Sequence, residues 1–132
     1  MDKPVPKPNS DTQAYWDACA EGKLLYQACR TCATIQTYPR SHCAQCQSND
    51  LEWHQSAGGG SVYSHTTVLR APTPAFKDEV PYVIALVQLD EGFRLMVNIL
   101  DCDPANVQIG RKVRIVYRPA RDGFTLPQGV LA

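Results

Sequence analysis

Long apolar runs, a dominant charge sign and recognisable catalytic motifs are all missing from this sequence. No stretch comes near the roughly 18 consecutive apolar residues that cross a bilayer as a helix, so no membrane span is expected. The 13 Lys and Arg residues balance 13 Asp and Glu over a chain of 132 residues. Such a chain lacks the field that a general nucleic-acid coat or a polybasic membrane binder relies on. The opening MDKPVPKPNSD holds no apolar segment of the kind that directs secretion, which leads us to expect a cytoplasmic setting. There is no G-x-S-x-G elbow, no H-E-x-x-H helix and no phosphate-binding loop. Ala57-Gly58-Gly59-Gly60 has the glycines but neither the spacing nor the following Lys-Ser/Thr. A nucleophile needs a base and an orienting group beside it. With no such set in view, the chain is not expected to be catalytic alone.

What is present suits a globular protein. Apolar residues make up 44% of the chain, too many for a disordered one. The first nine residues, with three prolines, read as an arm. Ser10 and Gln13 form a candidate capping box for a helix from about Asp11 to Glu21. Gly22 sits where a left-handed residue is wanted after a helix. Tyr15, Ala18 and Cys19 share one face of this helix, with Trp16 at its edge. The face docks either on its own domain or on another protein.

From Val62 the pattern turns to β. Val62 to Leu69, Tyr82 to Leu89, Arg94 to Leu100, Lys112 to Arg118 and Phe124 to Val130 read as strands. Tyr82 to Leu89 is nearly continuous apolar, as a strand covered on both faces would be. Lys112 to Arg118 alternates, with Val113, Ile115 and Tyr117 inward. The loop from Ala71 to Pro81 carries three prolines and is no central strand. Four or five strands in about 70 residues suit a small Greek-key barrel of the OB type. The fold expected is thus mainly β: an N-terminal arm and helix over residues 1–22, a rubredoxin-like zinc ribbon over 23–56, and a C-terminal OB-fold barrel over 57–132.

The strongest signal is Cys29-Arg30-Thr31-Cys32, ten residues, then Cys43-Ala44-Gln45-Cys46. Two residues between cysteines let both sulfurs of one tight turn face a single ion. Two such knuckles fit a tetrahedral Zn²⁺ with bonds of about 2.3 Å. Iron is the alternative, but rubredoxin knuckles resemble CxxCG, and here Ala33 and Gln47 follow the second cysteines. Four thiolates leave no open position, so the metal is expected to be structural. His42 adjoins Cys43 but is not needed as a ligand. Cys19 and Cys102 read as free thiols. His54 and His65 read as surface or strand histidines. The acids Asp90, Glu91, Asp101 and Asp103 read as solvated loop ends.

One charge feature stands out. Arg111, Lys112, Arg114, Arg118 and Arg121 occur together with no acid between Arg111 and Arg121. Lys112, Arg114 and Arg118 project from one strand face, either solvated or as a seat for a compact anion such as the phosphates of a nucleotide-like cofactor.

Several pieces recur in a fixed order. An aromatic helix leads to Gly22-Lys23-Leu24 and Gln27-Ala28-Cys29 before the first knuckle. Tyr38-Pro39-Arg40 precedes the second knuckle and Ser48 to Trp53 follows it. Gly60-Ser61-Val62-Tyr63-Ser64, Pro81-Tyr82-Val83 and Leu89-Asp90-Glu91-Gly92 come next. From about Tyr15 to Gly129 the chain resembles the bacterial and archaeal DUF35 family, a zinc ribbon joined to an OB-fold and associated with acyl-CoA metabolism. The resemblance implies an accessory subunit in a hetero-oligomer. Its partner would be a thiolase-fold enzyme (thiolase, acyltransferase or aldolase) or a hotdog-fold enoyl-CoA hydratase. The partner carries most of the chemistry, and the DUF35 chain stabilises it and helps hold the CoA thioester. On this reading Lys112, Arg114 and Arg118 are candidates for CoA phosphates, and Tyr15, Trp16 and Phe76 for partner contact. A single-stranded nucleic-acid binder is the competing reading. It needs exposed aromatics along a basic groove, for which Tyr63, Tyr82 and Phe93 are the nearest candidates.

Overall fold

The computed structural model describes residues 2–132. The helix α1 (Gln13–Ala20) begins later than the sequence suggests, and Ser10 does not cap it. Thr12 stands at the N-cap position without a side-chain capping bond; Asn9 organises the turn before it, its Oδ1 accepting from the N–H groups of Asp11 and Thr12 and its N–H donating to Thr12 Oγ1. These bonds occupy donors that a helix start leaves free. The far end follows the expectation. Gly22 has φ +75°, its N–H bonds the Cys19 carbonyl, and the Lys23 N–H bonds that of Ala18. This is the bond pair of a Schellman ending. Tyr15, Ala18 and Cys19 are buried, and α1 packs on the chain's own strands, the first and the last.

The short apolar pieces around the cysteines form an antiparallel sheet. β1 (Leu24–Cys29) lies between β2 (Ile35–Gln36) and β3 (Leu51–Ser56). The remaining strands are β4 (Gly59–Val68), β5 (Tyr82–Leu89), β6 (Arg94–Leu100), β7 (Lys112–Pro119) and β8 (Thr125–Leu131). They close a barrel in the order β4-β5-β6-β8-β7. β6 and β8 run parallel, whereas the other neighbours are antiparallel. A closed five-stranded barrel with this strand swap is the OB architecture.

The glycines from 58 to 60 lead straight into paired strand, with Gly59 and Gly60 opposite Arg114 and Val113. A Cβ at Gly60 would collide with the Gln88 carbonyl and lie 3.0 Å from Leu89 Cα, so two strands meet there only because glycine has no side chain. β7 alternates as read from the sequence, with Val113 and Ile115 buried and Lys112 and Arg114 exposed. β5 departs from its reading. Val83, Ala85, Val87 and Leu89 are buried, but the intervening residues are only half-buried. A barrel strand has the core on one side, so its apolar outer residues are covered only in part.

Several contacts join ribbon and barrel. Glu91, in the β5–β6 turn, accepts from Ser56 Oγ and from the Ala57 N–H at 2.7 Å each. Ser56 Oγ in turn accepts from the Gly58 N–H. The rings of Tyr26 on β1 and Phe93 beside β6 stack at 4.7 Å. Thr37 Oγ1 donates to the Arg94 carbonyl at 2.7 Å. The N-terminal arm is held as well: Lys3 pairs with Glu79, and its carbonyl accepts from Arg121 Nε.

Candidate functional site

The four cysteines of the two knuckles converge. Their sulfurs all lie within 4.8 Å of one another, with Cys29–Cys46 and Cys32–Cys43 at 3.6 Å. These separations are far beyond the roughly 2.05 Å of a disulfide. They approach the edge of about 3.8 Å that tetrahedral 2.3 Å bonds imply. Each knuckle is a tight turn: the Ala33 N–H bonds the Cys29 carbonyl, and the Gln47 N–H bonds that of Cys43. Ala33 and Gln47 take φ of +65° and +68°. These are the two positions where the sequence departs from a glycine-containing knuckle. The chain keeps the left-handed turn without glycine, at a strain of order 1 kcal/mol or more each.

The thiols are unequal. Hydrogen bonds shared with the Thr34 side chain and backbone draw Cys32 down to about 6. Cys46 moves up to about 12: the Ser48 N–H favours its thiolate, but burial and bonds to the neighbouring sulfurs outweigh it. Four thiolates in so small a volume repel one another, and a soft dication removes that repulsion. The donor set therefore fits zinc. With four sulfur ligands the ion would hold the fold together and offer no position to a substrate.

A buried amide network, which sequence reasoning missed, supports the second knuckle. Gln36 Nε2 donates to Gln27 Oε1 at 2.8 Å, and Gln27 exchanges bonds with the backbone N–H and carbonyl of Arg40. Gln36 Oε1 accepts from the Ala44 N–H, inside the knuckle itself. The available signal was the polar Gln within the apolar pieces Gln27-Ala28-Cys29 and Ile35-Gln36.

The other candidates are scattered. Lys112 and Arg114 stand exposed on β7, whereas Arg118, near the other end of the strand, pairs with Asp101 at 3.0 Å. Tyr15 is 7% exposed and belongs to the core, and Trp16 packs against that core with its ring edge toward Phe124. Phe76 is half-buried beside Tyr82, with the Lys3 ammonium above its ring. Cys19 is fully buried, and burial pushes its thiol up to about 11, so it is neutral and unreactive at ordinary pH. Glu91 is not a solvated loop acid. Burial raises its pKa, but the Ala57 N–H and the Ser56 hydroxyl prevail and hold the carboxyl below its usual range. Of the aromatics considered for base stacking, Phe93 is buried under Tyr26 and Tyr63 is covered by the Arg94 guanidinium at 3.8 Å.

Residues 16–52 match the family described as "ChsH2, rubredoxin-like zinc ribbon domain", and residues 53–118 match "ChsH2, C-terminal OB-fold domain". The class is thus a zinc ribbon joined to an OB-fold. A "DUF35 domain-containing scaffold protein" of Methanothermobacter thermautotrophicus is 38% identical over 100 residues, 75% of this chain and 74% of that protein. The chain belongs to the DUF35 family. In the structure of an "Ltp2-ChsH2(DUF35) aldolase", one chain is 35% identical and superposes with a TM-score of 0.85, over 96% of this chain and 98% of that one. A Thermomonospora curvata protein named "Probable enoyl-CoA hydratase alpha subunit" is 37% identical over 125 residues, 95% of this chain. The chain spans only 39% of that protein's length. No helix among the described residues is long and apolar enough to cross a membrane.

Proposed function

We propose that this chain is a non-catalytic accessory subunit of an acyl-CoA-processing enzyme complex. It stabilises a thiolase-fold partner and helps hold the CoA thioester. The observation that carries this reading is the end-to-end likeness to a chain of the Ltp2-ChsH2(DUF35) aldolase. Cys29, Cys32, Cys43 and Cys46 hold structural Zn²⁺, which needs the reduced thiols of a compartment such as the cytoplasm. A second reading, a hotdog-fold hydratase as partner, draws on the likeness to the hydratase alpha subunit.

Affinity capture of the tagged chain from its native lysate, followed by mass spectrometry, tests the proposal. A stoichiometric thiolase-fold chain supports the first reading and a hotdog-fold chain the second. RNA or unrelated protein in their place overturns both.

Lys112 and Arg114 are the seat we assign to CoA phosphates, because both are exposed, neighbouring and unpaired with acid among the described residues. Reversing both charges in the assembled complex is expected to weaken CoA binding about tenfold, read by calorimetry. Unchanged affinity would remove them from the site.

A further inference from the structure

The closed barrel is thinly paired along one seam. β6 and β8 are paired only at Ile99–Gly129 and Leu100–Val130. Below that point β8 carries Pro127, which has no N–H to give to a ladder, and the strands diverge. The parity of β6 determines which backbone groups face the gap. The Leu89 N–H bonds the Phe93 carbonyl, so odd-numbered residues from Phe93 to Ile99 turn their polar groups toward β5, and Arg94, Met96 and Asn98 turn theirs away. Side chains confirm this direction at both ends. Thr37 Oγ1 donates to the Arg94 carbonyl, and Gln128 Oε1 accepts from the Asn98 N–H at 2.9 Å. Met96 lies between them. Met96 itself pairs with no residue of β8, whose register with β6 covers only Ile99 and Leu100.

This bare piece of strand edge lines a groove of about 390 Å³. Tyr15 and Trp16 of α1, Tyr38 and Pro39 of the ribbon, and Leu126 and Pro127 of β8 form its other walls. No charged side chain lines it. Tyr38 and Met96, at 69% and 63% exposed, stand at its mouth. An uncharged slot along an unpaired stretch of strand edge fits an extended main chain, which brings hydrogen-bonding partners and apolar side chains for the walls. It does not fit phosphate or a nucleic-acid backbone.

We propose that an extended, uncharged segment of the partner enzyme adds to β6 at Met96, seated in this groove. The assignment rests on the accessory-subunit reading above. Met96→Pro is a selective probe. Met96 and Leu86 form a non-hydrogen-bonded pair in the β5–β6 ladder, so proline removes only the N–H that faces the groove. Met96→Ala keeps that N–H and trims the side chain.

The test uses the full chain and the enzyme that co-purifies with it. Met96→Pro is expected to weaken the complex about tenfold or more, with zinc content and melting temperature retained, and Met96→Ala only a few-fold. Amide hydrogen exchange on the unaltered chain provides a second reading should Met96→Pro fail to fold. There the Met96 amide is expected to exchange freely alone and to become protected in the complex. An enzyme that holds wild type and Met96→Pro alike, or a Met96 amide still exposed in the complex, overturns the groove assignment alone. Protection that rises with the concentration of the isolated chain shows a second copy in the groove and also overturns it. Absence of any enzyme partner overturns both this assignment and the functional reading beneath it.

Discussion

Gly60 shows how one missing atom decides a contact. It pairs with Leu89 on one side and Val113 on the other, and a methyl group there would meet the Gln88 backbone rather than a side chain that could swing away. Backbone in a paired strand yields little. Gly60→Ala is therefore expected to destabilise the barrel by about 2–3 kcal/mol, read as a shift of the urea midpoint. A neutral result would mean that the β4–β5 pair separates more easily than its register implies. Single residues also explain two misread features. Asn9, not Ser10, organises the turn that leads into α1, because its short amide reaches two N–H groups at once. Glu91 looks like any acid in an Asp-Glu-Gly turn, and its clamp on Ser56 and Ala57 becomes visible only when residues 35 positions apart meet.

At the scale of elements, the joint between ribbon and barrel depends on that clamp. The β5–β6 turn presents a carboxylate to the end of β3, and the chain passes from one sheet to the other without slack. The carboxyl is held below its ordinary value of about 4.3. Its contribution is therefore fully present above that value and is lost as pH falls through the lower folded-state value. Glu91→Gln is expected to cost about 1–2 kcal/mol at neutral pH. The difference from wild type should begin to shrink as pH falls below about 4.3 and vanish below the lower folded-state value, and thermal melts of both proteins across the acid range would show it. A constant difference would assign the loss to packing instead.

The whole molecule combines two ways of staying folded. The barrel has a continuous apolar core running from Val62 through Val83, Leu89, Val97 and Ile115. The ribbon has a three-stranded sheet with one two-residue strand, and its buried polar pair Gln27–Gln36 lies where a core would otherwise be. A sheet with so short a third strand is close to a two-stranded hairpin, which is marginal alone, and binding free energies of about 10–16 kcal/mol are typical of structural zinc in such modules. Chelation at neutral pH should thus melt β1–β3 while β5 and β6 stay protected in hydrogen exchange. Cys46→Ser should reproduce this and reduce bound zinc from one ion per chain to near none. Uniform protection after complete zinc removal would show that the ribbon stands on its own packing.

Several features were legible from residue order because they are local. The knuckles, the ending at Gly22 and the alternation of β7 depend on neighbours a few residues apart, whose spacing along the chain is also their spacing in the fold. The strand pattern and the ordered DUF35 pieces were sufficient for the barrel. What only the tertiary structure decided involves groups distant in sequence. The Gln27–Arg40 bonds, the Glu91 clamp, the pairing of Arg118 with Asp101 and the gap at Met96 all depend on which strands become neighbours and in what register. Hydrogen bonds act over about 3 Å. A sequence names the donors and acceptors, and only the closed barrel determines which of them meet.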